Sequence, residues 1–119
     1  MFQPTLAHIV KKVDGAMGAA VLSLEGLVIE AIDGAGQPMT PEPALADAYG
    51  PVFKQLIEAG DAVDAGELDR LTIESPDRAW LVRRLSEHYV AALTVRAGTA
   101  LSKAHYHLRV AAPDLAKEL

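Results

Sequence analysis

The stretch RLTIESPDRAWLVRRLSEHYVAALTV, Arg70 to Val95, decides how this chain folds. Within it Leu71 and Ile73 alternate with Arg70, Thr72 and Glu74, the period of a strand with one wet face or an open edge. Ser75, Pro76 and Asp77 then supply turn chemistry, because proline presets its own backbone angle and serine and aspartate bond back to nearby backbone. Beyond the turn, Ala79 to Val82 and Tyr89 to Val95 are apolar runs separated by Ser86, Glu87 and His88, as expected of central strands. Links this short make neighbouring strands antiparallel, since a parallel return needs a crossover of a dozen residues or more. The most polar and most edge-like strand of the meander is Leu68 to Ser75.

Working back toward the amino end, Thr40 before Pro41 is placed to cap a helix in which Leu45, Tyr49, Val52, Phe53, Leu56, Ile57 and Val63 lie near one stripe. Gly50 and Pro51 sit inside it, and proline removes a backbone hydrogen bond, so a kink or break is expected there. Asp33 to Pro43 concentrates glycine and proline and reads as a loop. Before it, Ala16 to Leu24 and Leu27 to Ile32 are apolar runs flanking Glu25-Gly26, which predicts a hairpin. Phe2, Leu6, Ile9, Val10 and Val13 mark one face of a first helix, which Asp14 and Gly15 close. At the carboxyl end Thr99 is placed to cap a last helix carrying Leu101, Ala104, Leu108 and Ala111, with Pro113 expected to interrupt it.

The resulting order is α-β-β-α-β-β-β-α. Four of the five strands lack clean alternation, so both sheet faces should be covered, giving an α+β domain with a five-stranded antiparallel sheet in a three-layer α/β/α sandwich. A single domain over residues 1–119 fits this length, and the 50% hydrophobic content is enough for one core.

Composition narrows the function. Eleven Lys plus Arg against 16 Asp plus Glu give a formal net charge of −5, so the electrostatic footprint of a nucleic-acid binder is missing. The lack of cysteine removes disulfides, thiolate metal sites and cysteine nucleophiles, and suits a cytoplasmic setting. Neither a signal peptide nor an apolar run of membrane-spanning length is visible, so no membrane insertion is expected. No phosphate-binding loop or nucleophile elbow occurs, and Glu30, Asp33, Asp47, Glu58, Asp61 and Asp64 are dispersed. His105 and His107 are two apart, whereas ligation from one helix face wants four, so both read as surface residues. His8 reads as a partly exposed helix residue and His88 as a turn residue. No catalytic residue, cofactor or metal is expected.

VDGAMGAAVLSLEGLVIEAIDG, starting at Val13, together with the Arg70–Val95 stretch and the element order, resembles the roadblock family of dynein light chains and their bacterial relatives. VDGA at residues 13–16 and LRVAAPDLAKEL at the carboxyl end extend the likeness to the roadblock proteins of bacterial polarity and gliding-motility modules. Glu25-Gly26 departs from the family's usual Asp-Gly, and Gly50-Pro51 from a smooth second helix. The resemblance implies a non-enzymatic homodimer that acts as an adaptor for a Ras-like small GTPase, through another roadblock protein or the GTPase itself. It also implies dimers joined through the third strand with second helices packed together, which points to Leu68, Arg70, Leu71, Thr72, Ile73, Glu74, Tyr49 and Phe53.

The residues support that geometry independently, since an exposed edge invites pairing with its own copy. The opposing reading is a lone edge protected by Asp69, Arg70 and Glu74. Leu24 and Leu27 bracket a turn where polar residues are usual, so Leu24, Glu25 and Leu27 form a candidate partner-binding tip. The alternative is that both leucines are simply the last core residues of their strands. Trp80 and Tyr49 are read as core packing before hot spots, and Arg83 and Arg84 should point to opposite faces of their strand. A competing function is a small-molecule sensory domain of similar architecture, with a cavity between sheet and helices.

Overall fold

A ten-residue helix that could not persist alone opens the chain: α1 (Gln3–Lys12) holds because Leu6, Ile9 and Val10 are buried. It is followed by β1 (Ala16–Ser23), β2 (Val28–Asp33), α2 (Pro43–Ala62), β3 (Arg70–Glu74), β4 (Arg78–Arg84), β5 (Tyr89–Arg96) and α3 (Leu101–Lys117). The computed structural model describes residues 1–40 and 43–119, with 43–49 described as backbone alone. The expected cap by Thr40 involves Pro41 and Glu42, which lie outside the described residues.

The strands form one sheet in the order β2-β1-β5-β4-β3, with every neighbouring pair antiparallel. Hairpins β1–β2, β3–β4 and β4–β5 account for three of those neighbours. The β1–β5 pairing closes the order by bringing Ala16 to Val95 and Ser23 to Tyr89. β5 therefore lies in the middle, which matches its nearly continuous burial. β3 and β2 are the two edges.

Alternation sends side chains to two cores. On one face Val21, Ile32, Leu81, Leu93 and Val95 pack with Leu6 and Ile9 of α1 and with Leu108 and Leu115 of α3. On the other, Leu22, Val82, Val90 and Ala92 pack with Phe53 and Ile57 of α2. The three-layer arrangement is thus two helices, the sheet, and one helix.

Three helix expectations are corrected. Gly50-Pro51 does not break α2, which is helical from Pro43 through Ala62. Pro113 does not interrupt α3 either. Leu115, fully buried beyond it, contributes roughly 1.5–3 kcal/mol, enough to offset most of the ~3 kcal/mol that an interior proline costs. Thr99 does not cap α3, whose N-cap is Ala100. Its hydroxyl donates instead to the Arg96 carbonyl at 2.7 Å.

Candidate interaction surface

The third strand has the alternation and the position of an open edge. Among the described residues β3 pairs with β4 alone, in the register Arg70–Arg83, Leu71–Val82, Thr72–Leu81, Ile73–Trp80 and Glu74–Ala79. Just outside these pairs the Arg84 N–H donates to the Asp69 carbonyl at 2.8 Å, and the Ser75 N–H to the Arg78 carbonyl at 2.9 Å. Hydrogen-bonded pairs alternate along an antiparallel ladder, so the odd-numbered residues of β3 bond inward to β4. The N–H and C=O groups of Arg70, Thr72 and Glu74 consequently face outward along the free edge.

Their side chains share one face of the sheet. Arg70, Thr72 and Glu74 are exposed, while Leu68, Leu71 and Ile73 are half-buried. Leu68 and Leu71 lean on the core beneath α2. On the opposite face Thr72 Oγ1 lies 2.6 Å from His105 Nε2. His105 is 7% exposed, which corrects the surface reading of this residue. Helix α3 packs against the sheet, so the ring lies under the edge strand, a contact across 33 positions that its spacing from His107 cannot reveal. Burial, with Arg70 and Arg83 nearby, lowers its pKa below the ordinary 6.5 and favours the neutral ring. Among the described residues Nδ1 is buried without a partner, so the form that donates from Nε2 to Thr72 leaves only an acceptor unpaired.

Phe53 is 1% exposed and sits in the core against its own sheet, so it supports α2 and offers no surface to a partner. The side chain of Tyr49 lies outside the described residues. What α2 does expose of the expected apolar stripe is Val52 and Leu56, while Val63 of the same stripe lies exposed just past the helix end. Spaced four apart, Val52 and Leu56 occupy a flank of the helix beside Phe53 and Ile57.

At the first hairpin the structure separates the two leucines. The Gly26 N–H donates to the Ser23 carbonyl at 3.1 Å, and the Ser23 N–H to the Leu27 carbonyl at 2.8 Å. Gly26 has φ +92°, so the link is a three-residue loop ending in a left-handed glycine, one residue longer than an isolated Glu-Gly turn. That extra residue turns Leu24 inward to 5% exposure and leaves Leu27 at 64%. Leu24 is core and is withdrawn from the candidate partner site; Glu25 and Leu27 remain on the surface.

Gly50 explains how α2 meets this hairpin. A Cβ there would sit 3.0 Å from the Gly26 nitrogen and 3.1 Å from its Cα, so only glycine lets the helix cross the turn this closely.

Arg83 lies toward His105, whereas Arg84 Nε donates to the Ser86 carbonyl at 3.2 Å. Trp80 is half-buried against the core under α2. It also borders an apolar groove of about 330 Å³, with Met17, Leu22, Val28 and Met39 among its described lining residues. Among the described residues the polar groups in that groove are few, chiefly Arg78 and Thr94. Among the described residues no three His, Asp or Glu side chains converge to hold a metal. No helix among them is long and apolar enough to cross a membrane.

A five-stranded antiparallel sheet in this element order, with α1 and α3 on one face and α2 on the other, is the roadblock fold, of the broader longin-like class. Solved structures bear this out over nearly the whole chain. MglC from Myxococcus xanthus is similar at 24% identity, with 99% of this chain and 98% of that one aligned and a TM-score of 0.71. A Roadblock/LC7 domain from Streptomyces avermitilis aligns over 98% and 95% of the two chains with a TM-score of 0.84 at 15% identity. An MglB with a tetrameric arrangement aligns over 96% and 84% with a TM-score of 0.83 at 18% identity. No family model matches the chain, and no curated protein matches it by sequence.

Proposed function

We propose that this chain is a non-enzymatic, cytoplasmic roadblock-fold adaptor that homodimerises through β3. In this reading it docks onto a Ras-like small GTPase module of bacterial cell polarity and motility, through another roadblock protein or the GTPase itself. The observation that carries the reading is the open edge of β3, whose outward backbone groups at Arg70, Thr72 and Glu74 have no strand beside them among the described residues. An MglB of the same fold has a tetrameric arrangement, which supports self-association as a use of this fold. Leu68, Leu71 and Ile73 would extend the seam, and Val52 and Leu56 on α2 take the apolar role first given to Phe53. Glu25 and Leu27 at the hairpin tip form the docking site for the second protein.

The test is to mix the purified chain with Ras-like GTPases and roadblock proteins encoded near its own gene, and to follow co-elution and GTP turnover. A complex with one of them, and no turnover by this chain alone, is expected. No complex with any of them would overturn the adaptor reading. The groove beside Trp80 favours one other reading, a small-molecule sensory domain. A ligand that raises the melting temperature in a thermal-shift screen would support it.

A further inference from the structure

Resting on the dimer reading above, the geometry points to one register: we propose that β3 pairs with β3 of a second copy about a two-fold axis at Thr72, setting Arg70 of each protomer opposite Glu74 of the other. The argument begins with parity. Only Arg70, Thr72 and Glu74 turn their backbone groups outward, so the hydrogen-bonded pairs of any new ladder must be made among even-numbered positions. An isologous antiparallel pairing then leaves few choices.

With Thr72 opposite Thr72, all three outward residues find partners, and both flanking pairs join opposite charges. On the other face Leu71 meets Ile73 in both directions, continuing the half-buried apolar row. A two-fold axis at Glu74 would oppose like carboxylates and bring Thr72 to Pro76, which has no N–H to donate. An axis at Arg70 would oppose two guanidiniums. Axes at Leu71 or Ile73 would leave Arg70 or Glu74 facing a neutral residue or lying past the end of the partner strand. Charges that protect an edge against unrelated strands are, in this one register, complementary to their own copy. His105 acts as a positioning residue, because its Nε2 fixes the Thr72 hydroxyl at the centre of the seam.

The chain has no cysteine, so single introduced cysteines report the register cleanly. Directly opposed residues in a hydrogen-bonded pair have Cα atoms about 5.5 Å apart, within disulfide reach, whereas a four-residue offset along the strand adds roughly 13 Å. Under mild oxidation Thr72→Cys should crosslink to itself. Arg70→Cys alone should not, and Arg70→Cys mixed with Glu74→Cys should crosslink across the two.

A charge series tests the same pairs without oxidation. Arg70→Glu and Glu74→Arg should each raise the dimer dissociation constant about tenfold or more, and mixing the two variants, or combining both changes in one chain, should restore dimerisation. Self-crosslinking of Arg70→Cys in preference to Thr72→Cys, or charge reversals without effect on a wild-type dimer, would overturn the register and leave the dimer reading standing. A wild-type chain that stays monomeric would overturn both.

Discussion

Gly50 and Pro51 are adjacent in one helix, and local propensity alone treats their replacement by alanine alike, as a gain. The structure gives the two substitutions opposite signs. Gly50→Ala gains up to about 1 kcal/mol of helix propensity. Its new methyl group, however, would press on Gly26 nitrogen at 3.0 Å, Gly26 Cα at 3.1 Å and the Leu24 carbonyl at 3.4 Å. All three are backbone atoms of a hydrogen-bonded turn, which cannot rotate away as a side-chain tip would. Overpacking of this kind costs about 1–3 kcal/mol, so a net loss near 1 kcal/mol is expected. Pro51 is exposed, so Pro51→Ala removes no packing and returns an N–H to the helix. The restored bond is worth up to about 3 kcal/mol, less about 1 kcal/mol for the freer unfolded chain, for a net gain of about 1–2 kcal/mol. Urea unfolding at one fixed protein concentration measures both, because association would otherwise shift the apparent stability. For a chain of this size each kcal/mol moves the melting midpoint by roughly 4 °C. If Gly50→Ala raised the midpoint as Pro51→Ala does, the close crossing of α2 over the hairpin would be refuted.

At the hairpin itself Leu24→Ala should cost about 2–5 kcal/mol on denaturation, whereas Leu27→Ala should stay within about 0.5 kcal/mol and weaken only partner binding, read by titration calorimetry. The lowered pKa of His105 means that as pH falls the unfolded chain takes up this proton first, near 6.5. The histidine's contribution is complete above that value and declines from about 6.5 down to the folded-state pKa, so a His105→Gln variant should show a flatter stability profile across that window. Thr72→Val, which leaves both ring nitrogens of His105 without a partner, should destabilise the fold by about 1–3 kcal/mol, measured in urea. Leu24→Ala matching Leu27→Ala, or His105→Gln leaving the pH profile unchanged, would contradict the corresponding contact.

Much of the fold is legible because local rules and burial agree. Leu71 and Ile73 alternate with charged neighbours, so β3 shows itself as an edge before any partner strand is known. β5 reads as central from the run Tyr89 to Val95, since a strand covered on both faces has no wet positions to alternate. What escapes the sequence depends on contacts between distant segments. The inward turn of Leu24 follows from one extra loop residue at Gly26, and the need for glycine at residue 50 exists only where α2 crosses that loop. Buried His105 escapes for the same reason, because its partner Thr72 belongs to another element. Pro113 misleads locally, since burial of Leu115 sustains the helix beyond it. Of the candidate site the edge strand can be read from its pattern, whereas packing takes inside Phe53, which the resemblance set at a dimer interface, and Leu24, the first leucine of the candidate tip.

The central claim is that this chain works as a pair joined at β3, and the most direct test is its mass in solution by light scattering across a dilution series. The account expects about twice 12.6 kDa at high concentration, falling toward the monomer on dilution and displaced toward monomer by Arg70→Glu. A mass of 12.6 kDa at every concentration, for the wild-type chain, would contradict it.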